Sequence, residues 1–593
     1  MIQYNKGAVN FSQGVLTLYL KQMKNKKTGR IYLSIAQKYW DSTKKTSTDR
    51  TVQSLGYLDE LQKKYSDPIK HFKEVARKMT EKENSEKKVT LSFNMDEQLA
   101  QDTDNRKNLG YAAIMKLYYE IELNRFFNNK ARHENFQFNT NSIMSLLTIS
   151  RILSPGSKKK AFEEKERYFE RFNLTLEDIY RSLSHFSKIA KETQRHIHEQ
   201  ITQKYGRDMR IIYYDVTNFY FEIDKEDDMR KKGACKEHRP NPIIQMGLAM
   251  DADGIPIAYE AFPGNYLDKE TFRSVIGEVR RNYSTGRIIV VADKGIITGD
   301  NIYYLTAGKN KNGYIFSFSV RGGTDDFKRY VLDDNGYVCT KDESGEIIYK
   351  IKSRITARDI SVTMRSGKKA KKTIYEKQVV FYSKKYADRE KAEREKAVLK
   401  AMEFVKNPVK YEQATSYGAA KYIKDLNIDK KTGELRPGGT TPTFDYEKLA
   451  EEEKYDGYFA IVTSELNMDN KEIIDTYRGL WEIEETFRIA KGDLETRPIY
   501  LQSEDRINAH LLSCFIALVI MRLLQKKTGW LYSSEKIIEC LNKISCTLEQ
   551  DNIYLFDYRS EISDAIGSAL GIDFTRKRLR LSDIKKILGD VKK

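Results

Sequence analysis

Cysteine is scarce in this sequence and is never closely paired. The 593 residues include five cysteines, and none forms a Cys-x2-Cys pair. They are Cys235, Cys339, Cys514, Cys540 and Cys546. Neither a zinc site nor a disulfide framework is therefore predicted. The expected environment is a reducing cytoplasm.

Long hydrophobic runs are also missing. Residues 1–6 have no apolar core of the kind found in a signal peptide. The most apolar stretch, residues 511–524, is too short and too interrupted to span a bilayer. We expect it to form a buried core helix, and we expect no membrane partner.

Acidic residues are too few to balance the basic ones. The chain has 103 Lys and Arg against 85 Asp and Glu, which gives a formal net charge of +18 and a pI near 9.2. Such a balance favours a polyanionic partner, either nucleic acid or an anionic membrane surface. A lysine-rich composition without any such partner remains an alternative. The length predicts roughly three to five domains.

Two apolar, β-rich segments each lead directly to an aspartate. Residues 210–217 are predicted to form a central strand that Asp215 interrupts. Within residues 287–295, a predicted strand is followed by Asp293 and then by Gly295. A single aspartate at a strand end is usually a cap or turn residue. Two such strands in one chain form a rarer pattern.

A predicted helix supplies a third carboxylate, Glu484. At helical spacing one broad face contains Ile473, Tyr477, Leu480, Trp481, Glu484, Arg488 and Lys491. The apolar and aromatic part of this face is expected to pack inward, where a carboxylate is costly unless a cation meets it. The simpler interpretation is an amphipathic helix in which Glu484 pairs with Arg488 or Lys491.

Together the three carboxylates predict a metal site. Asp215, Asp293 and Glu484 would repel one another at neutral pH, and divalent cations relieve that repulsion. Oxygen ligands suit Mg²⁺ or Mn²⁺. These three residues are the candidate catalytic and metal-binding residues.

The order of predicted elements fits one α/β architecture. Residues 243–250 and 255–262 form a hairpin around the turn 251–254, and a helix follows at 269–283. The strand before Asp293 and a further strand at 314–320 complete the series. This is the order of an RNase H-like core, in which the first and fourth strands and a later helix carry acids.

These residues resemble the DDE transposases of bacterial insertion sequences, in particular the group with a β-rich insertion before the catalytic Glu. That group has a Tyr-x2-Arg-x3-Glu-x6-Lys pattern, which falls here on Tyr477, Leu480, Glu484 and Lys491. Leu480 departs from the family arginine, and Arg478 and Arg488 are the alternatives for its role. Similar stretches lie at residues 215–221, 236–240, 262–265 and 494–500. The second contains His238, a candidate functional residue whose default interpretation is a loop histidine.

The resemblance implies an enzyme that cleaves DNA and transfers the strand ends of an insertion sequence. Asp215, Asp293 and Glu484 would hold two Mg²⁺ ions about 4 Å apart, with Mn²⁺ as a substitute. Tyr477, Arg488 and Lys491 are the expected DNA-binding residues. The implied partners are double-stranded element ends and target DNA, bound by a homodimer in the synaptic complex. The implied location is the bacterial cytoplasm, in association with the nucleoid.

The expected fold is therefore α/β, with an RNase H-like catalytic core, a β-rich insertion, and helical regions at both ends. The boundaries are 1–100 for an N-terminal hairpin and helix region, 108–206 for a helical, candidate DNA-binding region, 207–321 and 457–525 for the two parts of the core, 322–456 for the insertion, and 526–593 for a C-terminal helical region.

Several alternatives stay open at this point. An RNase H-like nuclease or resolvase shares the acids but needs neither the insertion nor the flanking helices. A transposase-derived DNA-binding protein without activity would be expected to have lost an acid. The helical region 108–206 is a DNA reader or a plain bundle, and Lys158, Lys159 and Lys160 are its candidates for phosphate contacts. The basic stretch 365–410 is a DNA-backbone surface or a solvated helix face.

Overall fold

The structure is a computed structural model of the chain. It describes residues 18–26, 28–41, 46–85, 95–96, 98, 101, 103–132, 134–233, 240–283, 285–308, 310–364, 366–406, 418–424, 442–550 and 552–593. The chain forms two compact units, Met1–Thr103 and Asp104–Lys593.

The first unit is a small antiparallel sheet with helices. Its elements are β1 (Leu18–Lys24), β2 (Ile31–Asp41), β3 (Thr46–Tyr57), α1 (Leu58–Leu61) and α2 (Pro68–Ser85). The central strand β2 pairs with both neighbours, and Leu18, Ile35 and Ala76 form the core. The hairpin expected within residues 1–100 is β2–β3, in which Ile35 faces Gln53.

The second unit begins with a short strand and a series of helices. These are β4 (Arg106–Asn108), α3 (Tyr111–Glu120), α4 (Leu123–Ala131), α5 (Thr140–Leu153), α6 (Lys158–Glu163), α7 (Leu176–Lys188) and α8 (Ala190–Tyr205). The helical character predicted for residues 108–206 is confirmed. Asn139 caps α5 by accepting from the Ser142 backbone N–H, and the left-handed Gly206 ends α8.

Strands and helices then alternate through the centre of the unit. The first series is β5 (Ile211–Tyr220), β6 (Ile243–Met250), β7 (Pro256–Pro263), α9 (Asp268–Asn282), β8 (Ile289–Ala292), α10 (Gly299–Thr306) and β9 (Gly313–Phe318). The predicted turn between β6 and β7 is present. Asp251 Oδ1 accepts from the backbone N–H groups of Asp253 and Ile255, and Gly254 supplies the positive φ.

The rest of the unit returns to the sheet and ends in a mixed region. The next elements are α11 (Asp325–Leu332), β10 (Val338–Lys341), β11 (Ile347–Thr363), β12 (Lys369–Ser383), α12 (Lys384–Lys406), β13 (Ile423–Lys424), β14 (Thr443–Phe444) and α13 (Tyr446–Glu453). They are followed by β15 (Tyr458–Thr463), α14 (Asn470–Arg478), α15 (Trp481–Arg488) and α16 (Glu504–Lys527). The last are α17 (Ser534–Lys543), β16 (Ser545–Leu548), β17 (Ile553–Phe556), α18 (Glu561–Leu570), β18 (Arg578–Arg580) and α19 (Leu581–Val591).

A nine-stranded sheet organises the unit, in the order β10-β11-β12-β15-β9-β8-β5-β6-β7. Strands β5, β8 and β9 run parallel to one another, and the other neighbours are antiparallel. The strands β10–β12, which belong to the stretch expected to be an inserted domain, continue this sheet through β15. The chain between β9 and β15 thus widens the central sheet.

The two faces of the sheet have separate cores. Helices α9 and α10 cover one face with Phe272, Val275 and Ile302. The other face is covered by α15, α16 and the helices α3–α8, whose apolar side chains form one continuous core with it. Successive side chains of β5 point to opposite faces of the sheet. Tyr213 therefore belongs to the larger core with α15 and α16, and Tyr214 belongs to the core with α9 and α10.

Helix α16 lies at the centre of the larger core. Among the described residues it is the one helix that is long and apolar enough to cross a membrane by composition, but 94% of its apolar window is buried inside the fold. The buried core helix predicted at residues 511–524 is thus confirmed.

The region after residue 526 is not purely helical, contrary to the expectation. Strands β16, β17 and β18 form a four-stranded sheet with β4, in the order β18-β17-β16-β4. Since Cys546 of β16 faces Lys107 of β4, residues far apart in sequence complete this sheet. Short strands whose partner is so distant have no local signature.

Candidate active site

Asp215 and Asp293 emerge side by side from two parallel strands. The last paired positions of β5 and β8 are Tyr214 and Ala292, and each aspartate is the next residue. Side chains at matched positions of neighbouring parallel strands lie on the same face. Both aspartates therefore lie on the face of the sheet that α15 covers, and the structure brings these two predicted residues together.

Ser317 continues the same row on the third parallel strand, β9. Its Oγ donates to Asp293 Oδ1 at 2.5 Å. Sequence analysis missed this residue. The available signal was a polar residue after the apolar run of the third parallel strand, at the same step along the strand as Asp293 on its neighbour. The hydrogen bond fixes the orientation of the Asp293 carboxylate.

The predicted Glu484 helix is interrupted where it crosses β5. Helix α14 ends at Arg478 and α15 begins at Trp481. A side chain at Gly479 would place a Cβ 1.9 Å from the Tyr213 hydroxyl oxygen, so only glycine fits there. That hydroxyl donates to the Thr476 carbonyl at 3.0 Å. This hydrogen bond holds the junction of α14 and α15 against β5.

Tyr477 lies between the acid on the sheet and the acid on the helix. Its ring packs on Phe459 with centroids 5.5 Å apart. Burial raises the pKa of Tyr477 well above its usual range, the Ser317 hydroxyl acts in the opposite direction, and the negative charges of Asp293 and Glu484 raise it further. Both carboxylates are therefore close enough to act on one hydroxyl. Asp293 and Glu484 are exposed, and Asp215 is half-buried.

Trp481 corrects the expected helix face. It was expected to pack inward with Tyr477 and Leu480, but it is 58% exposed. The face was counted along one continuous helix, whereas the structure has two helices, α14 and α15, that meet at Gly479 and Leu480. Ile483 and Phe487 form the buried side of α15 instead.

The candidate DNA-binding residues have different surroundings. Arg488 is exposed and donates to both oxygens of Glu485, at 2.7 and 2.6 Å. Lys491 is half-buried in a π-helical turn, Ile489–Asp493, that extends α15. Arg478, an alternative for the family arginine, pairs with Asp475 at 3.3 Å. Leu480 packs at the edge of the larger core.

The carboxylates do not converge on a single point in this structure. Within the described ranges, no three His, Cys, Asp or Glu side chains form a group that could hold a metal ion. In the same part of the chain, no Lys or Arg forms an ion pair with Asp293 or Glu484. Carboxylate oxygens on neighbouring strands are a donor set that fits a hard divalent ion.

One further prediction lies outside the described residues. His238 and its neighbours at 236–239 fall there, so the structure does not bear on them.

Comparison with known protein families matches most of the chain in two parts. Residues 206–520, more than half of the chain, match the family model "Transposase DDE domain". Residues 20–90 match the model "IS1634 family transposase, N-terminal domain". The first match includes every candidate site residue named above.

Comparison with individual proteins adds little. No curated protein matches the chain. A solved structure described as "Cryo-EM structure of piggyBac transposase synaptic complex with hairpin DNA (SNHP)" is similar at 8% identity and a TM-score of 0.30. The match covers 82% of this chain and 84% of that one. A likeness at that TM-score supports no conclusion about this chain.

Proposed function

The chain belongs to the DDE transposases of insertion sequences, and from this premise we propose that Asp215, Asp293 and Glu484 are its catalytic carboxylates. As a member of this family the chain is a metal-dependent DNA transposase. Its substrates in this proposal are the double-stranded ends of its own element, which it cleaves and joins to target DNA.

The observation that carries the assignment is the placement of the two aspartates beside the helix of Glu484. Asp215 and Asp293 follow paired positions on neighbouring parallel strands. Helix α15 packs against β5 on the same face. The negative charges of Asp293 and Glu484 both raise the pKa of Tyr477. Asp293 and Glu484 thus lie near one tyrosine hydroxyl, and Asp215 is on the strand beside Asp293.

Strand order supports an RNase H-like core. The series β7-β6-β5-β8-β9 has three antiparallel strands followed by two parallel ones. We infer that residues 207–321 and 457–525 form this core. In the same proposal residues 322–456 are an insertion that extends the core sheet, and residues 1–100, 108–206 and 526–593 are flanking regions.

We propose Mg²⁺ as the metal, bound as two ions by Asp215, Asp293 and Glu484, with Mn²⁺ as a substitute. Carboxylate oxygens are the ligands that these hard ions prefer. When bound, the ions supply Lewis-acid stabilisation of the attacking and leaving oxygens of the phosphoryl transfer. The Ser317 hydroxyl keeps the Asp293 carboxylate in one orientation for this task.

The DNA strand is positioned by basic and aromatic side chains near the acids. In our proposal Arg488 and Lys491 contact phosphates on either side of the scissile bond, and Tyr477 packs behind the carboxylates. Arg488 exchanges Glu485 for a phosphate, because both are bound through the same forked guanidinium. Two copies of the chain would pair the two element ends as a homodimer in the bacterial cytoplasm.

Cleavage of the element's own ends tests this function. Purified protein is mixed with labelled duplexes carrying the DNA that flanks its reading frame, in Mg²⁺ or in Ca²⁺. We expect nicking at the element end in Mg²⁺ and binding without nicking in Ca²⁺. Glu484→Gln should lower the cleavage rate about a thousandfold or more, because several kcal/mol of transition-state stabilisation are lost. Its affinity for the ends in Ca²⁺ should stay within about twofold.

Glu485→Gln is the matched control. It removes a carboxylate from the next position of the same helix, where Arg488 holds the pKa of Glu485 below its usual range. We expect its cleavage rate to stay within about threefold of the wild type. Equal losses in both variants would remove Glu484 from the assignment. Binding without cleavage in any metal would indicate an inactive DNA-binding protein, and cleavage that ignores the ends would indicate a nuclease.

A further inference from the structure

A cavity of about 270 Å³ lies between α5, α6, α7, α16 and the loop after the Glu484 helix. Its lining includes the basic side chains Arg151, Lys158, Arg497 and His510, together with Tyr180 and Glu495. Tyr500 at its rim is 72% exposed, so the cavity reaches the surface. Nothing in the carboxylate site accounts for this concentration of positive charge.

Two of the cations are buried without a carboxylate. Arg151 is 6% exposed and Lys158 is 5% exposed. Arg151 donates to the carbonyls of Leu494, Glu495 and Gly156, at 3.3, 3.1 and 2.8 Å. Among the described residues no Asp or Glu forms an ion pair with either cation. Buried charges of one sign are costly unless an anion joins them.

Lys158 has a neutral partner. Its Nζ lies 2.7 Å from Nδ1 of His510, and Nε2 of the same ring lies 3.0 Å from the Thr496 carbonyl oxygen. Since a carbonyl only accepts, Nε2 carries the proton and Nδ1 accepts from the lysine. Burial, with the charges of Lys158 and Arg151, lowers the pKa of His510 well below its usual range. The histidine orients the ammonium but does not neutralise it.

The cavity is within reach of a strand held at the carboxylates. Ile499 N donates to the carbonyl of Tyr220 at 3.5 Å, and the guanidinium of Arg497 lies 5.4 Å from the Tyr220 ring. Tyr220 ends β5 five residues after Asp215, which is about 17 Å of extended chain. A DNA duplex advances about 3.4 Å along its axis per base pair. A duplex lying along β5 would therefore place about five base pairs over this distance.

We propose that this cavity binds one backbone phosphate of the DNA strand whose end occupies the carboxylate site, with Lys158, Arg151 and Arg497 as its cationic partners. This inference rests on the proposed function. A phosphodiester supplies the anion that the two buried cations lack. Because the bound group is a phosphate rather than a base, the contact fixes the position of the strand without reading its sequence.

A buried and an exposed lysine provide the first test. Lys158→Met removes the buried charge and keeps the side-chain length, whereas Lys543→Met removes a charge from α17 whose side chain is 53% exposed and pairs with Glu539 at 2.6 Å. Affinity for the element-end duplex is measured in Ca²⁺ over a range of salt concentrations. We expect Lys158→Met to bind about tenfold more weakly, with a salt slope smaller by about one. Lys543→Met should stay within about twofold of the wild type.

Single neutral phosphates identify the contact. Duplexes that carry one methylphosphonate at successive positions are bound to the wild type, to Lys158→Met and to Arg497→Gln. We expect a methylphosphonate at one position, about five nucleotides from the cleavage site, to weaken binding of the duplex by the wild type about tenfold. At the same position it should not weaken binding by either variant any further. Arg497→Gln keeps the test decisive if Lys158→Met does not fold.

Three outcomes overturn the inference. In the first, the wild type cleaves its ends but no methylphosphonate position depends on Lys158 or Arg497. In the second, inorganic phosphate raises the melting temperature of the wild type but not of Lys158→Met, again without a dependent position, which would mean that the cavity takes a free anion. In the third, Lys543→Met weakens binding as much as Lys158→Met. A wild type that neither binds nor cleaves the ends would instead contradict the proposed function.

Discussion

At the scale of single residues, the Asp293 carboxylate depends on one hydroxyl group. Ser317 Oγ donates to it at 2.5 Å from the neighbouring strand. We predict that Ser317→Ala raises the Mg²⁺ concentration needed for half-maximal cleavage about tenfold, because a ligand that has lost its orienting hydrogen bond binds metal more weakly. The measurement is cleavage of the element-end duplex over a Mg²⁺ titration.

Ser319→Ala is the control for that prediction. Ser319 lies two residues further along the chain, is exposed, and accepts a hydrogen bond from the Gly322 backbone. Its variant should have the Mg²⁺ dependence of the wild type. If Ser317→Ala lowers the maximal rate but leaves the Mg²⁺ dependence unchanged, then the hydroxyl does not act through the metal ligand.

Lys158 makes the stability of the chain depend on pH. Burial, and then the charge of Arg151, lowers its pKa to about 7, with Cys514 of α16 acting weakly in the opposite direction. The unfolded chain keeps the ordinary lysine pKa near 10.4. Between these two values the unfolded chain binds a proton that the folded chain does not bind, so the free energy of unfolding rises with pH. Below about pH 7 both states are protonated and the contribution is constant.

We therefore predict that the wild type gains about 2 kcal/mol relative to Lys158→Met between pH 7 and pH 9. Urea unfolding of both proteins at the two pH values measures this difference. The comparison cancels the titration of the shared groups that lie far from Lys158. A constant difference between the proteins would mean that Lys158 keeps an ordinary pKa in the folded chain.

At the scale of elements, the position of the Glu484 helix depends on a buried ion pair. Arg522 of α16 is 2% exposed and pairs with Glu482 of α15, and its Nε donates to the Gly254 carbonyl at 3.0 Å. We predict that Arg522→Met lowers the free energy of unfolding by about 3 kcal/mol, because Glu482 is left unpaired at the interface of the two helices. The double variant Arg522→Met/Glu482→Met should recover most of that loss. Chemical unfolding of all variants measures the cycle.

Lys526→Met is the control on the same helix. Lys526 pairs with Asp253 at 2.7 Å at the surface, where an ion pair contributes little, and its loss should cost less than about 1 kcal/mol. Additive losses in the double variant would show that Arg522 and Glu482 stabilise the protein independently.

The elements of the central sheet could be predicted because their signals are local. The hairpin β6–β7, the helix α9 and the strands β8 and β9 have the alternation, turn residues and apolar faces that specify them. The same reasoning placed Asp293 correctly at the end of its strand. It also placed Asp215 at a strand end, which is wrong, because pairing with β6 continues β5 to Tyr220 and leaves Asp215 in the middle of the strand. It failed for Trp481, because which side of α15 is buried depends on its packing against the distant strand β5.

Pairing between distant strands could not be predicted. Glu376 of β12 is surrounded in sequence by lysines and tyrosines that suggest a solvated strand. It is fully buried, because Arg358 donates to both of its oxygens at 2.8 Å and the Tyr314 hydroxyl donates at 3.2 Å. Only the pairing of β12 with β11 and β15 brings these groups together. Local periodicity therefore predicted strands here but not that they widen the central sheet.

At the scale of the whole molecule, the two units have separate cores. The described core of the second unit begins at Leu109, and the core of the first consists of Leu18, Ile35 and Ala76 with their neighbours. We predict that a chain beginning at Asp104 unfolds in one cooperative transition within about 3 °C of the main transition of the full chain. Differential scanning calorimetry measures both. A shift of more than about 10 °C would mean that the first unit stabilises the second.

A slightly shorter chain is the control, because the boundary lies close to a strand that the second unit needs. A chain beginning at Tyr111 lacks β4, and β4 pairs with β16. It also lacks Asn108, whose buried amide donates to the carbonyls of Leu541 and Asn542 at 2.8 and 3.2 Å. Loss of β4 leaves those buried carbonyls without donors and makes β16 an edge strand, which costs several kcal/mol in all. We expect this chain to melt at least about 8 °C lower than the chain beginning at Asp104. Equal melting temperatures would show that β4 contributes nothing to the stability of the unit that contains the proposed catalytic carboxylates.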